Sequence, residues 1–328
     1  MAFRLLSFGQ NAIIALIQFQ LFWIDNSKSR FKEIFMPSIH PDERCIDLHS
    51  HTTASDGDHS PERLMAYAFE IGLKAIAVTD HDTTAGVLEA TAEAERLGIE
   101  LIPGIELSAE PNGSGQCHIL GLYIDVGNAN LQSRLDQVVE NRNNRNARIV
   151  ERMQRELGWE IDLAEVEAEA GGEIVARPHF AKVLVRKKLV PNFQTAFDLY
   201  LGTGGKAYIS RDRLTPKEAI GLIHGAGGVA ILAHPNNLKM NEAETEAEII
   251  RLMDFGLDGI EARYNRHSPA ETNRYLTLAS RLKLVTAGGS DFHGPTVKKD
   301  VQLGHVEGLD AAPYGLLEGL LEVGKKQR

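Results

Sequence analysis

Cysteine is scarce in this sequence. Only Cys45 and Cys117 occur among 328 residues, which excludes the disulfide framework of a small secreted domain. So low a count is typical of a reducing compartment, and we therefore expect a cytoplasmic protein. The sequence also contains no Gly-x-Ser-x-Gly elbow, no Walker loop and no closely paired cysteines. It therefore gives no support to a serine nucleophile, a P-loop or a thiol redox pair.

The sequence lacks a hydrophobic run long enough for a convincing membrane span. The mostly apolar segment 12–24 is interrupted by two glutamines and is shorter than the about 20 residues that a bilayer requires. No small-residue cleavage site of the secretory type follows it. We predict no membrane association and interpret residues 1–40 as an N-terminal extension outside the core, for which a misplaced start codon is one explanation.

The sequence has no excess of positive charge. Lys and Arg total 35 against 45 Asp and Glu, a net charge of −10. Non-specific wrapping of nucleic acid depends on many cations contacting phosphates, so this balance argues against it. A local basic groove stays open as an alternative, and no DNA-specific motif is present. The hydrophobic share of 43% is ample for a folded core.

Short apolar runs alternate with helical patterns from residue 45 onward. This order is typical of an α/β fold with parallel strands. The predicted strands cover residues 45–48, 75–79, 101–105, 118–123, 229–233, 259–262 and 284–287. Helical patterns without strands follow the fourth strand, at 131–157, 163–170, 177–190 and 193–201. We predict a barrel from 44–124 and 206–328, with residues 125–205 inserted as a helical cap over its mouth.

Histidines and acids recur where the predicted strands end. His49 and His51 follow the first strand, Asp56 lies in the next turn, and His81 follows the second strand. Gly57 suggests a close approach of backbone to an ion or phosphate. Five further candidates lie near later strands: Glu106, His118, His234, Asp291 and His293. Because strand ends in such barrels converge on one mouth, and buried charges are costly without partners, these residues predict a shared cation site.

The ordered motifs resemble one known family. They are DLHSHTTASDG (47–57), AVTDHDT (77–83), GIELS (104–108), HILGL (118–122), ARPHFA (176–181), ILAHP (231–235) and GSDFH (289–293). Together, over residues 45–305, they resemble the PHP (polymerase and histidinol phosphatase) superfamily of metal-dependent phosphoesterases. The cap strings ARPHFAKVLV and YLGTGGKAYIS are similar to its TrpH-like branch, which contains nucleoside 3′,5′-bisphosphate phosphatases and the 5′→3′ exoribonuclease RNase AM.

The resemblance implies a distorted, TIM-like (β/α)₇ barrel with three metal ions. It implies a first ion held by His49, His51, Glu106 and Asp291, a second held by Glu106, His118 and His234, and a third held by Asp56, His81 and His293. Imidazole and carboxylate without thiolate suit Mn²⁺, which we expect, and also Zn²⁺, Fe²⁺ or Mg²⁺. The catalytic residues implied are Asp291, His293, Glu106 and His234. Closely spaced divalent ions activate water and neutralise a reacting phosphoryl group.

Substrate contacts are implied in the cap. Arg177 and His179 match the family's Arg-x-His motif, and Lys206 matches its Gly-Lys motif, so these three would bind a non-transferred phosphate or ribose. The chain departs from its near relatives after Ala-His-Pro, where Asn236-Asn237 replaces Gly-Arg. The substrate preference is therefore open at this position.

A row of arginines lies on the long helix predicted at 131–157. Arg142, Arg145, Arg148, Arg152 and Arg155 recur every three or four residues, which places them on one helix face. The row is consistent with an RNA track or with a solvated face neutralised by nearby glutamates.

Three functions agree with these residues. The preferred one is hydrolysis of phosphoesters, acting on nucleoside 3′,5′-bisphosphates with release of the 5′ phosphate, on the 5′ ends of short RNAs, or on both. The alternatives are a phosphatase for a small non-nucleotide ester, similar to histidinol phosphatase, and a non-catalytic module that binds metal or RNA. The sequence indicates no oligomeric state.

Overall fold

The computed structural model describes residues 45–113, 115–170, 175–209, 213–306 and 312–327. Every described residue belongs to the compact unit Ile39–Arg328. The predicted N-terminal extension, with its apolar segment, lies outside the described residues. No helix in the described part of the chain combines the length and apolarity that crossing a bilayer requires.

One sheet of eight strands forms the centre of the fold. The strands are β1 (Cys45–Asp47), β2 (Ala75–Val78), β3 (Glu100–Ala109), β4 (Cys117–Leu122), β5 (Val229–Leu232), β6 (Gly259–Tyr264), β7 (Val285–Gly289) and β8 (Ala312–Pro313). Their order is β7-β6-β5-β4-β3-β2-β1-β8. The ends of β1 and β7 also meet, because Leu48 N donates to the Gly288 carbonyl at 3.1 Å. This contact nearly closes the sheet into the predicted barrel.

Strand β4 runs opposite to the predicted direction. It pairs antiparallel with both β3 and β5, although the alternating pattern predicted parallel strands throughout. The reason is the short connection from Glu110 to Gln116, since a parallel crossover needs a dozen residues or more. The reversal brings the beginning of β4, with His118, to the mouth where parallel strands β1 and β2 end.

Helices cover the outside of the sheet and form the insertion. They are α1 (Pro61–Glu70), α2 (Ala85–Leu97), α3 (Ala129–Leu157), α4 (Leu163–Ala170), α5 (Arg177–Arg186), α6 (Phe193–Ala196), α7 (Pro216–Gly225), α8 (Glu242–Met253), α9 (Pro269–Leu282) and α10 (Leu316–Gln327). A π-helical turn, Phe197–Leu201, continues α6, and a 3₁₀ turn, Pro235–Leu238, follows β5. The predicted helices are confirmed, with ends that differ by a few residues.

Helix α3 links the barrel to the inserted helices. Its first turns bury Leu131 and Leu135 in the cluster that packs on the outside of β3 to β6. Its last turns bury Ile149 and Met153 in a separate cluster with Phe180 and other residues of the insertion. The helix is 29 residues long, which allows one element to take part in both cores. The limits 125–205 of a cap subdomain stay a prediction.

Candidate metal centre

The segment after β1 aims two imidazoles at the centre of the mouth. His49 and His51 are both fully buried. Between them, the Ser50 hydroxyl donates to the Ala77 carbonyl at 2.6 Å, toward strand β2. Side chains alternate in an extended segment, so the two histidines share the opposite side.

The turn that carries Asp56 is fixed by a buried acid. Asp80 accepts hydrogen bonds from the Thr52 amide at 2.7 Å, the Thr52 hydroxyl at 2.8 Å and the Ser55 hydroxyl at 2.6 Å. A Cβ at Gly57 would lie 2.6 Å from the His51 carbonyl oxygen. The structure therefore shows a close approach of this glycine to the backbone of His51, while an approach to an ion or phosphate stays a prediction.

Asp291 enters the mouth from the segment after β7 in a strained conformation. Its φ is 55°, a region that non-glycine residues rarely occupy outside special sites. Its Oδ1 atom lies 3.3 Å from His51 Nε2 and 3.6 Å from His49 Nε2. Its Oδ2 atom accepts hydrogen bonds from Tyr264 at 3.0 Å and from Lys298 at 2.7 Å. The outer contacts hold one oxygen and leave the other directed at the histidines.

Glu106 of β3 is the centre of the cluster and is fully buried. Imidazole nitrogens lie next to both of its carboxylate oxygens. Oε1 lies 2.8 Å from His118 Nδ1 and 2.9 Å from His234 Nε2, and Oε2 lies 3.2 Å from His49 Nε2, His51 Nε2 and His81 Nδ1. One carboxylate thus contacts five histidines from four different segments.

The predicted ligand residues meet in three overlapping groups. Ligand atoms within 4.8 Å of one another occur in His49, His51, Glu106 and Asp291, in His51, Asp56, His81 and His293, and in His81, Glu106 and His118. The first group is the set implied for the first ion. The third implied set gains His51. His234 stands outside these groups, although it contacts Glu106. All nine predicted residues therefore lie in one cluster, while their roles as ligands stay a prediction.

The buried atoms of this cluster fit divalent cations. Six of them have no hydrogen-bond partner in the described structure: His49 Nε2, both ring nitrogens of His51, His81 Nδ1, Glu106 Oε2 and His234 Nδ1. Buried polar atoms normally have a hydrogen-bond partner. Because six such atoms without one lie in one place, they point to a missing partner. Neutral imidazole and carboxylate are the donors that first-row divalent metals accept.

Electrostatics in the metal-free cluster pair imidazoles with carboxylates. Burial opposes ionisation of Glu106, but His81, His49 and His118 outweigh it and hold the pKa of its carboxyl well below the usual range. Burial likewise opposes the charge on His51, yet Asp291 and Glu106 raise its pKa to about 9. At His81 burial prevails and lowers the pKa to about 4. The cluster without metal therefore holds protons on some of the residues that a cation requires to be neutral.

Several residues that support the cluster were not assigned from sequence. Glu261, within β6, lies 2.9 Å from His49 Nδ1 through Oε1 and accepts from the His234 amide at 2.7 Å through Oε2. Asp47 accepts from the His49 amide at 3.1 Å and from the Ser290 hydroxyl at 2.5 Å. Each thereby ties two ligand-bearing segments together. Their signal in the sequence is the same as that of the ligands, an acid beside a strand end.

A cavity of about 440 Å³ opens beside the cluster. Its barrel side includes Asp56, His81 and His118. Its other side is formed by the middle of α3 and by residues near the insertion, namely Val138, Val139, Asn141, Arg145, Asn146, Val175, Ala176 and Arg213. The cavity thus gives a ligand access to three predicted metal ligands and surrounds it with polar, cationic and apolar groups.

The predicted substrate contacts do not line this cavity. The Arg177 guanidinium donates to the Leu201 carbonyl at 3.1 Å and lies over the rings of Phe197 and Tyr208. His179 is buried and accepts from the Ala176 amide through Nδ1, and Lys206 is exposed. Their roles toward substrate stay predictions.

The arginine row on α3 is mostly engaged with protein. Arg145 donates to the Ile209 carbonyl at 2.9 Å, Arg152 donates to the Tyr208 carbonyl at 2.7 Å, and Arg155 pairs with Glu151 and Glu156. Arg148 is exposed, and the side chain of Arg142 lies outside the described residues. The row therefore fits the interpretation of a helix face neutralised by its surroundings better than a continuous RNA track.

The position where the near relatives carry Gly-Arg serves a structural purpose in this chain. The Asn236 amide donates to Glu271 at 2.8 Å, and its oxygen accepts from the Tyr275 hydroxyl at 2.6 Å. The Asn237 carbonyl accepts from the Gln116 amide at 2.7 Å. These bonds anchor the turn after His234 to α9 and to the β3–β4 connection, and neither asparagine lines the cavity.

Comparisons with known proteins agree with this arrangement. Residues 47–187 match the PHP domain family. The 5′-3′ exoribonuclease Rnm of Salmonella typhimurium is 37% identical over 254 residues, which cover 76% of this chain and 85% of that protein. The 3′,5′-nucleoside bisphosphate phosphatase of Chromobacterium violaceum is 34% identical over 272 residues, 80% of this chain and 92% of that protein.

A solved structure has a similar fold. The protein, from Bifidobacterium adolescentis, was assigned as a metal-dependent phosphoesterase and has a TM-score of 0.62 and 31% identity, covering 84% of this chain and 95% of that chain. Sequence and fold similarity thus extend over most of these relatives, and the family match includes the segments that carry His49 to His118. This chain belongs to the PHP domain family.

Proposed function

We propose that this protein hydrolyses phosphate esters of nucleotides, removing the 5′ phosphate of nucleoside 3′,5′-bisphosphates and trimming RNA from its 5′ end. Its membership of the PHP domain family, with relatives that are phosphate-ester hydrolases, makes it a hydrolase of this class. The observation that carries the substrate proposal is the position of the cavity. It lies between the Glu106 cluster and α3, so a phosphate at the cluster would have the rest of its nucleotide beside α3.

The residues of the cluster would hold three Mn²⁺ ions in the sets implied by the resemblance. When bound, such ions supply hydroxide at neutral pH and neutralise charge that develops on the phosphoryl group. The chain contributes fixed positions: Glu261 orients His49, while Tyr264 and Lys298 orient Asp291. The shortage of cysteine supports a reducing, cytoplasmic setting.

Hydrolysis of adenosine 3′,5′-bisphosphate and of a short 5′-phosphorylated RNA with Mn²⁺ tests the proposal. We expect phosphate release and stepwise shortening of the RNA, and loss of both activities in Asp291→Ala. Asp300→Ala is the matched control, because Asp300 is an exposed acid that pairs only loosely with Arg266, at 3.4 Å. Activity on a small non-nucleotide ester alone would replace the nucleotide assignment, and absence of any turnover with metal bound would support a binding module.

A further inference from the structure

The cavity needs a cation away from the metal cluster if its ligand carries a second phosphate. In the described part of its wall the guanidinium groups are those of Arg145 and Arg213. Arg145 is 7% exposed, and its Nε atom donates to the Ile209 carbonyl. Much of its bonding capacity is therefore directed into the protein.

Arg213 differs from Arg145 in its surroundings. It is half-buried on the cavity wall. Within the described residues its guanidinium makes no hydrogen bond or ion pair with protein. A guanidinium offers five donors in a planar fork that matches phosphate oxygens. Its donors are therefore available to a ligand in the cavity.

The backbone beside Arg213 is fixed to the strand that carries Glu106. Leu214 is 1% exposed and pairs in parallel with Ala109, and its carbonyl accepts from the Glu110 amide at 2.8 Å. Ala109 lies three residues after Glu106 on β3, which is about 10 Å along an extended strand. The backbone at Arg213 is thereby held about 10 Å along β3 from Glu106, which suits a ligand with one phosphate at the cluster and a second phosphate beside Arg213.

The remaining wall suits the body of a nucleotide. Val138 and Val139 lie on the α3 side, and Val139 is 43% exposed. Asn141 and Asn146 on the same helix supply amide groups next to them. An apolar surface flanked by amides can pack against a base or ribose while the two phosphates occupy the two ends of the cavity.

We infer that Arg213 binds the non-reacting phosphate of a substrate that carries two phosphoryl groups, and that it gives the enzyme its preference for bisphosphates or phosphodiester-linked chains over monophosphates. This inference rests on the proposed function. A charge-assisted contact of this kind contributes roughly 10- to 100-fold in affinity.

Two substrates that differ by one phosphate test the inference. We would measure kcat/KM for adenosine 3′,5′-bisphosphate and for adenosine 5′-monophosphate with Mn²⁺, in the wild type, Arg213→Met and Arg213→Lys. We expect the bisphosphate to monophosphate ratio to fall roughly 10- to 100-fold in Arg213→Met, through KM, and to recover in part in Arg213→Lys. Arg148→Met is the control, since Arg148 is exposed on α3 and absent from the cavity wall. An equal fall for both substrates would overturn the inference.

A binding measurement separates this inference from the proposed function. Calorimetric titration of metal-free wild type and Arg213→Met with adenosine 3′,5′-bisphosphate does not depend on turnover. Weaker binding to Arg213→Met supports the phosphate contact even if neither substrate is hydrolysed, in which case the proposed function alone fails. Equal binding to both proteins would overturn the contact itself.

Discussion

His49 and Glu261, which are 212 positions apart in the chain, face each other across the barrel mouth with 2.9 Å between Nδ1 and Oε1. The other ring nitrogen of His49 faces Glu106 and Asp291. A carboxylate on the far side of a metal-binding imidazole fixes its ring and its tautomer. Glu261 also accepts from the His234 amide through its second oxygen, so one side chain sets two predicted ligands. We classify it as a positioning residue.

We predict that Glu261→Gln weakens metal binding about 10- to 100-fold, the usual effect of losing such an outer contact. Glutamine has a single carbonyl oxygen, so either His49 or the His234 amide loses its acceptor. Metal affinity measured by competition with a chelator checks this, with Glu322→Gln on the exposed face of α10 as the control. Wild-type metal affinity in Glu261→Gln would rule out the positioning role.

The hydroxyl of Tyr264 provides the next prediction. It donates to Asp291 Oδ2 at 3.0 Å from a residue that is 4% exposed, and hydrogen bonds to charged groups contribute about 1.5 to 3 kcal/mol. We expect Tyr264→Phe to lower the free energy of unfolding by about that amount and to reduce activity. Urea denaturation of metal-free protein measures the first effect. Tyr67 is a half-buried residue of α1, and Tyr67→Phe should lower the free energy of unfolding far less. Equal effects of the two variants would contradict the role of the Tyr264 hydroxyl as a stabilising donor to Asp291.

The site was more predictable from the sequence than the fold around it. His49, His51, His81 and Asp291 were identified because each follows an apolar run that can only be a buried strand, and a charged group there needs a partner. The direction predicted for β4 was wrong, because the alternation of apolar residues does not indicate whether two neighbouring strands run parallel or antiparallel. His118 was nevertheless placed correctly, because the reversed strand begins where the others end.

Local sequence patterns could not predict the roles of the residues that support the cluster. The role of Glu261 depends on His49, and that of Asp47 depends on Ser290, which is 243 positions away. The reason for glycine at position 57 could not be predicted either, because the atom that a Cβ there would meet is the backbone carbonyl oxygen of His51, which a sequence motif does not reveal. The cavity wall is a further case: Arg213 lies there through the pairing of Leu214 with Ala109, a contact between the end of β3 and the far side of the insertion.

We interpret the thiol of Cys117 as a buried apolar group and not as a metal ligand. It is 1% exposed, and burial raises the pKa of its thiol to about 12. In a Cys45→Ser variant, in which Cys117 is the only thiol, we expect no appreciable reaction with Ellman's reagent at pH 8 while the protein is native, and full reaction after denaturation. Rapid reaction of the native variant would show that the thiol is accessible.

Metal binding should release protons, because the metal-free cluster holds some of them on its ligands. Asp291 and Glu106 raise the pKa of His51 to about 9 against the opposing effect of burial, so His51 is protonated at pH 7, whereas a ligand imidazole must be neutral. His81, with its pKa lowered to about 4, has no proton to release. Apparent metal affinity should therefore fall as the pH drops below about 9.

Titration calorimetry with Mn²⁺ in two buffers of different ionisation enthalpy gives the number of protons released. We expect net release at pH 7, and less at pH 10, where His51 no longer contributes a proton. An identical heat in both buffers at pH 7 would mean that His51 is neutral before the metal binds, and that the pairing of imidazoles with Glu106 and Asp291 does not control loading of this site.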